Sequence, residues 1–254
     1  MRVNRAYVEG PLSVGMRLAL PEGAAAHLVR VLRFGVGDTC VLFNGEGRDY
    51  DARIVSADKR GAEVEIVAVR EVTNESPLRI VLVQGIARGE KMDWILQKAT
   101  ELGVAAFVPV SSDRSEVKLD ADRAGKRLAH WRSVVISACE QSWRARVPEV
   151  AAPQSLAAAL SALPGDGLRL MLDPDARDSI HSLQASSGHP LVAAAMLAIG
   201  PEGGWSPRDR ASLADAGFIG LRLGPRILRT ETAGIAAIAA LQSHFGDLSQ
   251  AAPA

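Results

Sequence analysis

Two glycine-rich turns near the end of the sequence have the composition of ligand-binding loops. The first, LAIGPEGGWSPRD (residues 197–209), ends an apolar run with Gly-Pro and places Gly203 and Gly204 shortly before Ser206 and Pro207. Glycines let a flat ligand approach the backbone. A helix that starts with serine and proline offers free N–H groups to a carboxylate or a phosphate. Because glycine is also common in ordinary strand-to-helix loops, both interpretations stay open at this point.

The second turn, LGPRILRTETAG (residues 223–234), repeats the Gly-Pro pair. Its apolar residues Ile227 and Leu228 stand in a loop, which indicates the wall of a ligand site. Thr230 is predicted to cap the final helix, and Glu231 falls in the first turn of that helix, where an acid is also favoured by the helix dipole.

Several common nucleotide and metal motifs are missing. The sequence contains no G-x-x-x-x-G-K-[ST], no G-x-G-x-x-G after the first strand of its second half, and no H-x-x-x-H or C-x-x-C pair. These gaps weigh against a phosphate-loop NTPase, an NAD enzyme, a Rossmann-type methyltransferase and a metal site. An ATP or NAD enzyme with an unusual loop is kept as an alternative.

Composition limits the class of protein. The 254 residues are 48% hydrophobic, which is enough for a buried core, and the 29 basic and 29 acidic residues give no net charge. A neutral chain gives no overall signal for nucleic acid, although a local basic patch remains possible. The separated cysteines Cys40 and Cys139 fit a reducing compartment and are expected to be buried thiols. Since the sequence shows neither a secretory signal nor an apolar run long enough for a bilayer, a cytoplasmic protein is predicted.

The pattern of predicted secondary structure changes near residue 75, and the second pattern contains the two turns. The first part contains short strand patterns with a hairpin signal at Asn44-Gly45, and these predict a small β-barrel. From Arg79 onward, continuous apolar runs alternate with amphipathic helices, which predicts a parallel sheet with helices on both sides. The sequence therefore indicates two domains, followed by a disordered tail.

Nearly the whole chain, from about residue 2 to 246, resembles one family. Residues 197–242, which include GPRILRTETA, resemble the C-terminal signature of the RsmE family, SPOUT-class methyltransferases that act on N3 of a uridine in 16S ribosomal RNA. The segments HLVRVLR, GDTCVLFNGEGRDYDARI, GIARGEKMDWILQKATELG and ISACEQSWRARVPEV are similar to other parts of the family.

The resemblance implies a fold, a cofactor and partners. Residues 1–74 would form an RNA-binding PUA-like β-barrel, 75–246 an α/β SPOUT methyltransferase domain with a C-terminal trefoil knot, and 247–254 a disordered tail. It also implies S-adenosylmethionine as cofactor, 16S ribosomal RNA or the small subunit as partner, and a homodimer, with no membrane and no metal. A different ribosomal or transfer RNA base, and a non-catalytic assembly factor that retains the fold, are the alternatives.

The resemblance also assigns roles to residues of the two turns. We expect Arg229 to hold a carbonyl oxygen of the uracil or a phosphate, and Glu231 to act as the base or to orient Arg229. The residues expected to hold the cofactor are Leu172, Gly200, Glu202, Gly203, Leu223, Gly224, Ile227, Leu228 and Thr232. The basic residues expected to contact RNA are Arg2, Arg5, Arg30, Arg33, Arg88, Lys91, Arg114 and Arg144.

Overall fold

The computed structural model describes residues 4–58, 61–115, 121–180, 182 and 192–249, which form two compact units. One unit contains the chain up to Glu75 and the segment Ile136–Val147; the other contains Ser76–Val135 and the chain from Pro148 on. The sequence predicted two contiguous halves. Segment 136–147 belongs to the first unit instead, because Arg5 donates hydrogen bonds to the carbonyl oxygens of Cys139 (3.1 Å) and Arg144 (3.3 Å). Arg2 and residues 250–254 of the predicted tail lie outside the described residues.

The first unit is built on a five-stranded sheet in the order β1-β3-β4-β5-β2. Its strands are β1 (Arg5–Tyr7), β2 (Arg17–Ala19), β3 (Thr39–Phe43), β4 (Arg48–Ala57) and β5 (Ala62–Glu71). Only the β1–β3 pair is parallel among these pairings. The predicted hairpin is present between β3 and β4. A short helix, α1 (Glu22–Ala25), continues as a π-helical segment, Ala26–Val31.

This sheet curls around its own apolar residues. Register shifts in the β4–β5 pair leave Val67 of β5 unpaired near Asp51/Ala52 and Val55 of β4 unpaired between Ile54 and Ser56, and bulges of this kind bend a strand and increase its twist. Leu42, Ile54 and Val64 on one face pack with Leu28 from the helical segment, and all four are buried. The bend therefore lets a small number of strands enclose a core.

The second unit contains a seven-stranded sheet in which all strand pairs are parallel. The strand order is β12-β10-β11-β6-β7-β8, with β9 also paired to β7. The strands are β6 (Arg79–Gly85), β7 (Val104–Ser111), β8 (Glu149–Val150), β9 (Gln154–Ser155), β10 (Leu168–Leu172), β11 (Ala194–Ile199) and β12 (Ile219–Leu221). The helices are α2 (Glu90–Glu101), α3 (Ala121–Ser142, ending in the first unit), α4 (Leu156–Ala162), α5 (Pro207–Asp215) and α6 (Thr230–Phe245).

Both faces of this sheet are covered, as its continuous apolar runs predicted. Val83 and Ala198 pack with Leu213 of α5 in one buried cluster. Alternate strand residues point to the opposite face, where Ile199 meets α6. A Cβ on Gly234 would lie 3.1 Å from Ile199 Cδ1, so glycine allows close packing there. β6 and β11 are neighbours in the sheet. The chain continues from β6 to β7 on one side of this pair and from β11 to β12 on the other side. Parallel sheets bind ligands at such a switch point, at the carboxyl ends of the two strands.

In the described ranges, no helix combines the length and the apolar character that a bilayer-spanning segment requires.

Candidate active site

A cavity of about 600 Å³ opens at the carboxyl ends of β10, β11 and β12. Of the residues predicted to hold the cofactor, it is lined by Leu172, Gly200, Glu202, Gly203, Leu223, Gly224, Ile227 and Leu228. Arg229 and Glu231, predicted to be catalytic, also line it, as do the predicted RNA contacts Lys91 and Arg114. Thr232 does not line the cavity; it is exposed in the first turn of α6.

The loop after β11 is compact because two glycines permit close backbone contacts. A Cβ on Gly200 would lie 2.8 Å from the carbonyl carbon of Gly204, so a larger residue would displace the loop. Gly204 has a φ of 65° and donates from its N–H to Pro201 O at 2.8 Å. These contacts form the tight turn that the Gly-Pro-Glu-Gly-Gly sequence predicted.

The end of the same loop is fixed by hydrogen bonds. Ser206 Oγ accepts from Asp209 N and Asp209 Oδ2 accepts from Ser206 N, both at 3.0 Å, which confirms the predicted helix start. Ser206 Oγ also donates to Asp113 Oδ2 at 2.8 Å, and Arg114 Nη1 donates to Gly203 O at 3.0 Å. The segment after β7 therefore holds this loop from a second side.

The loop after β12 forms the apolar wall of the cavity. Gly224 has a φ of 72°, a left-handed conformation that favours glycine, and its carbonyl oxygen accepts from Arg222 Nε at 3.0 Å. Ile227 is 78% exposed although it is apolar. Leu223 and Leu228 are half-buried beside it. The wall thus presents uncovered aliphatic side chains to the cavity.

Thr230 links the two loops and does not act as the predicted helix cap. Its hydroxyl donates to Gly200 O at 2.6 Å. Arg229 occupies the N-cap position of α6 and makes no side-chain cap. The prediction was wrong because a tertiary contact with a residue thirty positions away uses the hydroxyl group that a local cap would need.

The cavity carries more positive than negative side chains. Among the described residues that line it, the cations are Lys91, Arg114, Arg210, Arg222, Arg226 and Arg229, and the carboxylates are Asp173, Glu202 and Glu231. Arg210 Nη1 lies 3.2 Å from Asp173 Oδ2 and 3.1 Å from Asp175 Oδ2. Arg229 is exposed and forms no ion pair with a described residue. The surplus of cations suits anionic groups, such as a carboxylate or a phosphate.

Glu202 is already paired within the protein. Its Oε1 lies 2.9 Å from Lys91 Nζ and accepts from Arg88 N at 3.1 Å. Burial by itself raises the pKa of the Glu202 carboxyl, but the hydrogen bonds from Lys91 and from backbone N–H groups outweigh it and lower the pKa below its ordinary value. The ionised carboxylate therefore ties the loop after β11 to the start of α2.

Two buried polar atoms in the cavity lining have no hydrogen-bond partner among the described residues. They are Glu231 Oε2 and Trp205 Nε1. Trp205 is only 2% exposed, and its indole N–H can only donate. A buried acceptor or donor without a partner is costly unless a bound molecule satisfies it. One acceptor and one donor in residues of the cavity lining are thus left without a partner in the described part of the chain.

The predicted RNA contacts separate into buried and exposed residues. Arg5 and Arg144 are 7% and 5% exposed, and their guanidinium groups pair with Asp49 (2.6 Å) and Glu75 (2.5 Å). We therefore correct the prediction for both: their charges are neutralised inside the first unit, where phosphates do not reach them. The predicted contacts Arg30, Arg33, Arg88 and Arg114 are exposed, and the side chain of Lys91 is 39% exposed.

The two thiols are buried core residues, and neither has the character of a nucleophile. Burial raises the pKa of Cys40 to about 11 and that of Cys139 to about 12, so both stay protonated at neutral pH. Within the described ranges, no group of three or more histidine, cysteine, aspartate or glutamate side chains is arranged to hold a metal ion.

Sequence reasoning missed several residues of the cavity. Asp173, Trp205 and Arg226 line it without having been predicted. Trp205 and Arg226 lie inside the two turns, so their closeness in sequence to the predicted ligand residues could have identified them. Asp173 directly follows Leu172, and its place at the carboxyl end of β10 was the available signal.

Comparison with known protein families agrees with this arrangement. Residues 74–242 match the RNA methyltransferase domain family, and residues 20–67 match the RNA methyltransferase PUA domain family. A ribosomal RNA small subunit methyltransferase E from Buchnera aphidicola subsp. Schizaphis graminum is 34% identical over 98% of this chain and 99% of its own length.

Two solved structures are also similar. A methyltransferase from Legionella pneumophila in complex with the cofactor SAM is 37% identical, with a TM-score of 0.91 over 98% of this chain and 100% of that chain. The ribosomal RNA small subunit methyltransferase E from Neisseria gonorrhoeae, bound to S-adenosyl methionine, is 41% identical, with a TM-score of 0.86 over 97% and 100%. The α/β fold with its parallel sheet is shared with these methyltransferases. The chain therefore belongs to the ribosomal RNA small subunit methyltransferase E (RsmE) family.

Proposed function

We propose that the protein methylates N3 of a uridine in 16S ribosomal RNA with S-adenosylmethionine as methyl donor. One observation carries this proposal: one cavity collects the predicted cofactor residues other than Thr232 together with Arg229 and Glu231. The relatives from Buchnera and Neisseria are named for the small-subunit RNA, which supports that substrate class. The uridine and its N3 atom rest on the likeness of residues 223–234 to the family signature.

The cavity is suited to S-adenosylmethionine in size and lining. Its volume of about 600 Å³ falls within the range of roughly 300–1,000 Å³ that small-molecule sites span. The apolar residues of the loop after β12 offer a flat contact for adenine, and the glycines after β11 expose backbone groups for its polar edge. Trp205 Nε1 and Glu231 Oε2 offer a donor and an acceptor that lack described partners. We assign the cofactor to this cavity.

The chemistry requires removal of a proton from a weak acid. The cofactor supplies an electrophilic methyl group on a positively charged sulfur. With the cofactor bound, the Glu231 carboxylate would take the N3 proton of uracil while N3 bonds to the methyl carbon and the S–methyl bond breaks, so that S-adenosylhomocysteine leaves as a neutral thioether; a positioned base of this kind contributes roughly 10²- to 10⁴-fold. Arg229 faces the ring carbonyl oxygens and stabilises the negative charge that develops on them. The loops contribute by holding the reacting atoms in line.

Glu202 has a different role in this proposal. Glu202 pairs with Lys91, which balances its charge, and accepts a hydrogen bond from Arg88 N. In this proposal it therefore holds the loop after β11 in place. The loop that carries Gly200 and Gly203 is then held from α2 on one side and from Arg114 on the other.

We propose that the C-terminal segment of the second unit forms the SPOUT trefoil knot and that the first unit is a PUA-like barrel. The contact of Thr230 with Gly200 O supports the knot, because the chain after β12 returns to the loop after β11 at the first residue of α6. The bulged, curled sheet of the first unit and its match to a PUA domain family support the barrel. A homodimer rests on the family resemblance; light scattering of the purified protein tests it, with a monomer as the contradicting result.

RNA contacts are proposed for exposed basic residues in each unit. Arg30 and Arg33 serve this role in the first unit, and Arg88, Lys91 and Arg114 near the cavity in the second. Arg226, which lines the cavity, joins the second group. These cations are expected to bind phosphates, which fix the RNA without reading its sequence.

The proposal is tested by titration and by a methylation assay with the purified protein. We expect S-adenosylmethionine, but not ATP or NAD, to bind in calorimetry and raise the unfolding temperature. With small subunits or 16S RNA, nucleoside mass spectrometry should detect N3-methyluridine. Arg229→Ala should bind the cofactor nearly normally and lose turnover. Cofactor binding without methylation of any RNA would favour a non-catalytic assembly factor, and unchanged turnover of Arg229→Ala would remove Arg229 from the mechanism.

A further inference from the structure

A buried glutamine stands beneath the cavity at the carboxyl end of the central strand β6. Gln84 is 0% exposed, and its sheet neighbours are Ile199 of β11 and Pro109 of β7. It does not line the cavity. Gln84 is a polar residue that directly follows the apolar residues Ile80–Val83 on the same strand.

The side-chain amide of Gln84 is part of a chain of hydrogen bonds that ends at the cavity. Nε2 donates to Gly85 O at 2.8 Å and to Thr230 Oγ1 at 3.2 Å. The Thr230 hydroxyl in turn donates to Gly200 O at 2.6 Å. Since a hydroxyl has one hydrogen, the donation to Gly200 leaves Thr230 Oγ1 to act as the acceptor for Gln84. Both hydrogens of the Gln84 amide are therefore used.

The polar side chain at this position needs an explanation beyond stability. Burying an amide is unfavourable when any of its polar atoms stays unpaired, and Gln84 Oε1 has no partner among the described residues. An apolar residue would fill the same space between the strands without that cost. This partly satisfied amide contacts Thr230, whose hydroxyl joins the start of α6 to the loop after β11.

The atoms that this chain fixes belong to the candidate active site. Gly200 lines the cavity in the loop after β11. Thr230 stands directly between Arg229 and Glu231 at the start of α6. A Cβ on Gly85 would lie 2.5 Å from the Pro201 ring, so the backbone next to Gln84 is packed tightly on the same loop. A shift of the Gln84 amide is therefore passed to both walls of the cavity.

We propose that Gln84 is a positioning residue of the active site: through Thr230 it fixes the distance between the loop after β11 and the start of α6. It touches neither substrate nor cofactor in this role. The proposal rests on the proposed function, because it takes S-adenosylmethionine as the ligand of the cavity.

A second buried glutamine provides a matched control. Gln242 of α6 is also 0% exposed and hydrogen-bonded at both ends, to Ser76 Oγ (2.6 Å) and Leu102 O (2.9 Å), but it does not line the cavity and these hydrogen bonds reach neither of the two loops. Methionine has a similar shape and no amide. Gln84→Met and Gln242→Met should each lower the unfolding temperature, since each removes buried hydrogen bonds.

Calorimetric titration with S-adenosylmethionine separates the two variants. We expect Gln84→Met to bind about tenfold more weakly than wild type, the order expected for one buried hydrogen bond, and Gln242→Met to bind as wild type. If Gln84→Met does not fold, Gln84→Asn tests the same point, because its amide is one methylene too short to reach Thr230. Equal binding by the Gln84 variant and wild type, or equal weakening in Gln242→Met, would overturn the inference. If wild type itself does not bind, the proposed function is what fails.

Variants of Thr230, the hydroxyl partner of Gln84, separate the proposed positioning role from a general loss of stability. Thr230→Val removes the hydroxyl and should weaken cofactor binding as Gln84→Met does, whereas Thr230→Ser retains the hydroxyl and should bind as wild type. Because the two residues act in one chain, the double variant Gln84→Met/Thr230→Val should bind no more weakly than the weaker single variant. Independent, multiplying losses would show that Gln84 does not act through Thr230.

Discussion

The exposed isoleucine of the apolar wall allows a quantitative test of where the cofactor binds. Ile227 is 78% exposed, so most of its side chain is free to be covered by a ligand. Full burial of an isoleucine side chain is worth about 1.5–3 kcal/mol. A ligand that covers the exposed fraction of Ile227 gains part of this free energy, and the methyl group of an alanine would keep a small share of the gain. The difference between the two side chains is about 1–2 kcal/mol, or roughly a 5- to 30-fold change in Kd. We therefore expect Ile227→Ala to weaken S-adenosylmethionine binding by this factor.

The assay is calorimetric titration of the purified variants, with Ile219→Ala as the matched control. Ile219 lies on β12 of the same unit, is 45% exposed, and does not line the cavity. Ile227→Ala should keep the free energy of unfolding within about 0.5 kcal/mol of wild type because it removes mostly surface atoms, whereas Ile219→Ala, at a half-buried strand position, should lose roughly 0.5–1.5 kcal/mol and still fold. A change in Kd for Ile227→Ala below about twofold, or an equal change for Ile219→Ala, would refute the assignment of this wall to the cofactor.

Three further predictions concern RNA binding, stability and pH. Arg30→Gln and Arg33→Gln should each reduce the slope of log K against log salt by about 0.7–0.9 in RNA-binding titrations, because each loses one phosphate contact. Asp49→Ala should lower the free energy of unfolding in urea by about 3–5 kcal/mol, because it leaves the Arg5 guanidinium, whose side chain is 0% exposed, without the carboxylate that balances its charge. Glu202→Gln should flatten the acid limb of the unfolding temperature. The pKa of the Glu202 carboxyl is lowered in the folded protein. The ionised carboxylate therefore stabilises the fold above its ordinary pKa, and this stabilisation is lost as the pH falls through the pKa of the folded state. Thermal melts from about pH 7 to about pH 3 cover this range.

Each of these predictions has a control and a contradicting result. Unchanged salt slopes for both arginine variants would place the RNA surface elsewhere. Arg70→Ala is the control for Asp49, since the Arg70 side chain is 44% exposed and its pairing with the same carboxylate is worth at most about 1 kcal/mol. Equal losses in the two variants would contradict the burial argument. An acid limb of Glu202→Gln identical to that of wild type would mean that this pairing does not contribute to stability.

Local signals were enough to predict the turn chemistry and the alternation of strands and helices. Ser206 and Pro207 begin α5 as predicted because a capping box needs only residues within one helical turn. The continuous apolar runs of β6 and β11 predicted a sheet covered on both faces because parallel strands bury both sides. The two-residue strands β8 and β9 were missed because two residues are too few to form a pattern.

Long-range contacts account for the predictions that were wrong. Arg5 has the sequence surroundings of a surface cation, yet its bonding partners Asp49 and Cys139 are 44 and 134 residues away. Thr230 has the residue type of a helix cap, but its hydroxyl bonds to Gly200. Gln84 carried a usable signal that was overlooked, since a polar residue inside an apolar strand demands a buried partner.

Nucleoside mass spectrometry of 16S ribosomal RNA from a strain that lacks this protein tests the proposed methylation in the cell. We predict that N3-methyluridine disappears from the RNA, returns when the wild-type chain is supplied, and does not return when Arg229→Ala is supplied. A normal level of N3-methyluridine in the deletion strain would contradict the proposed function.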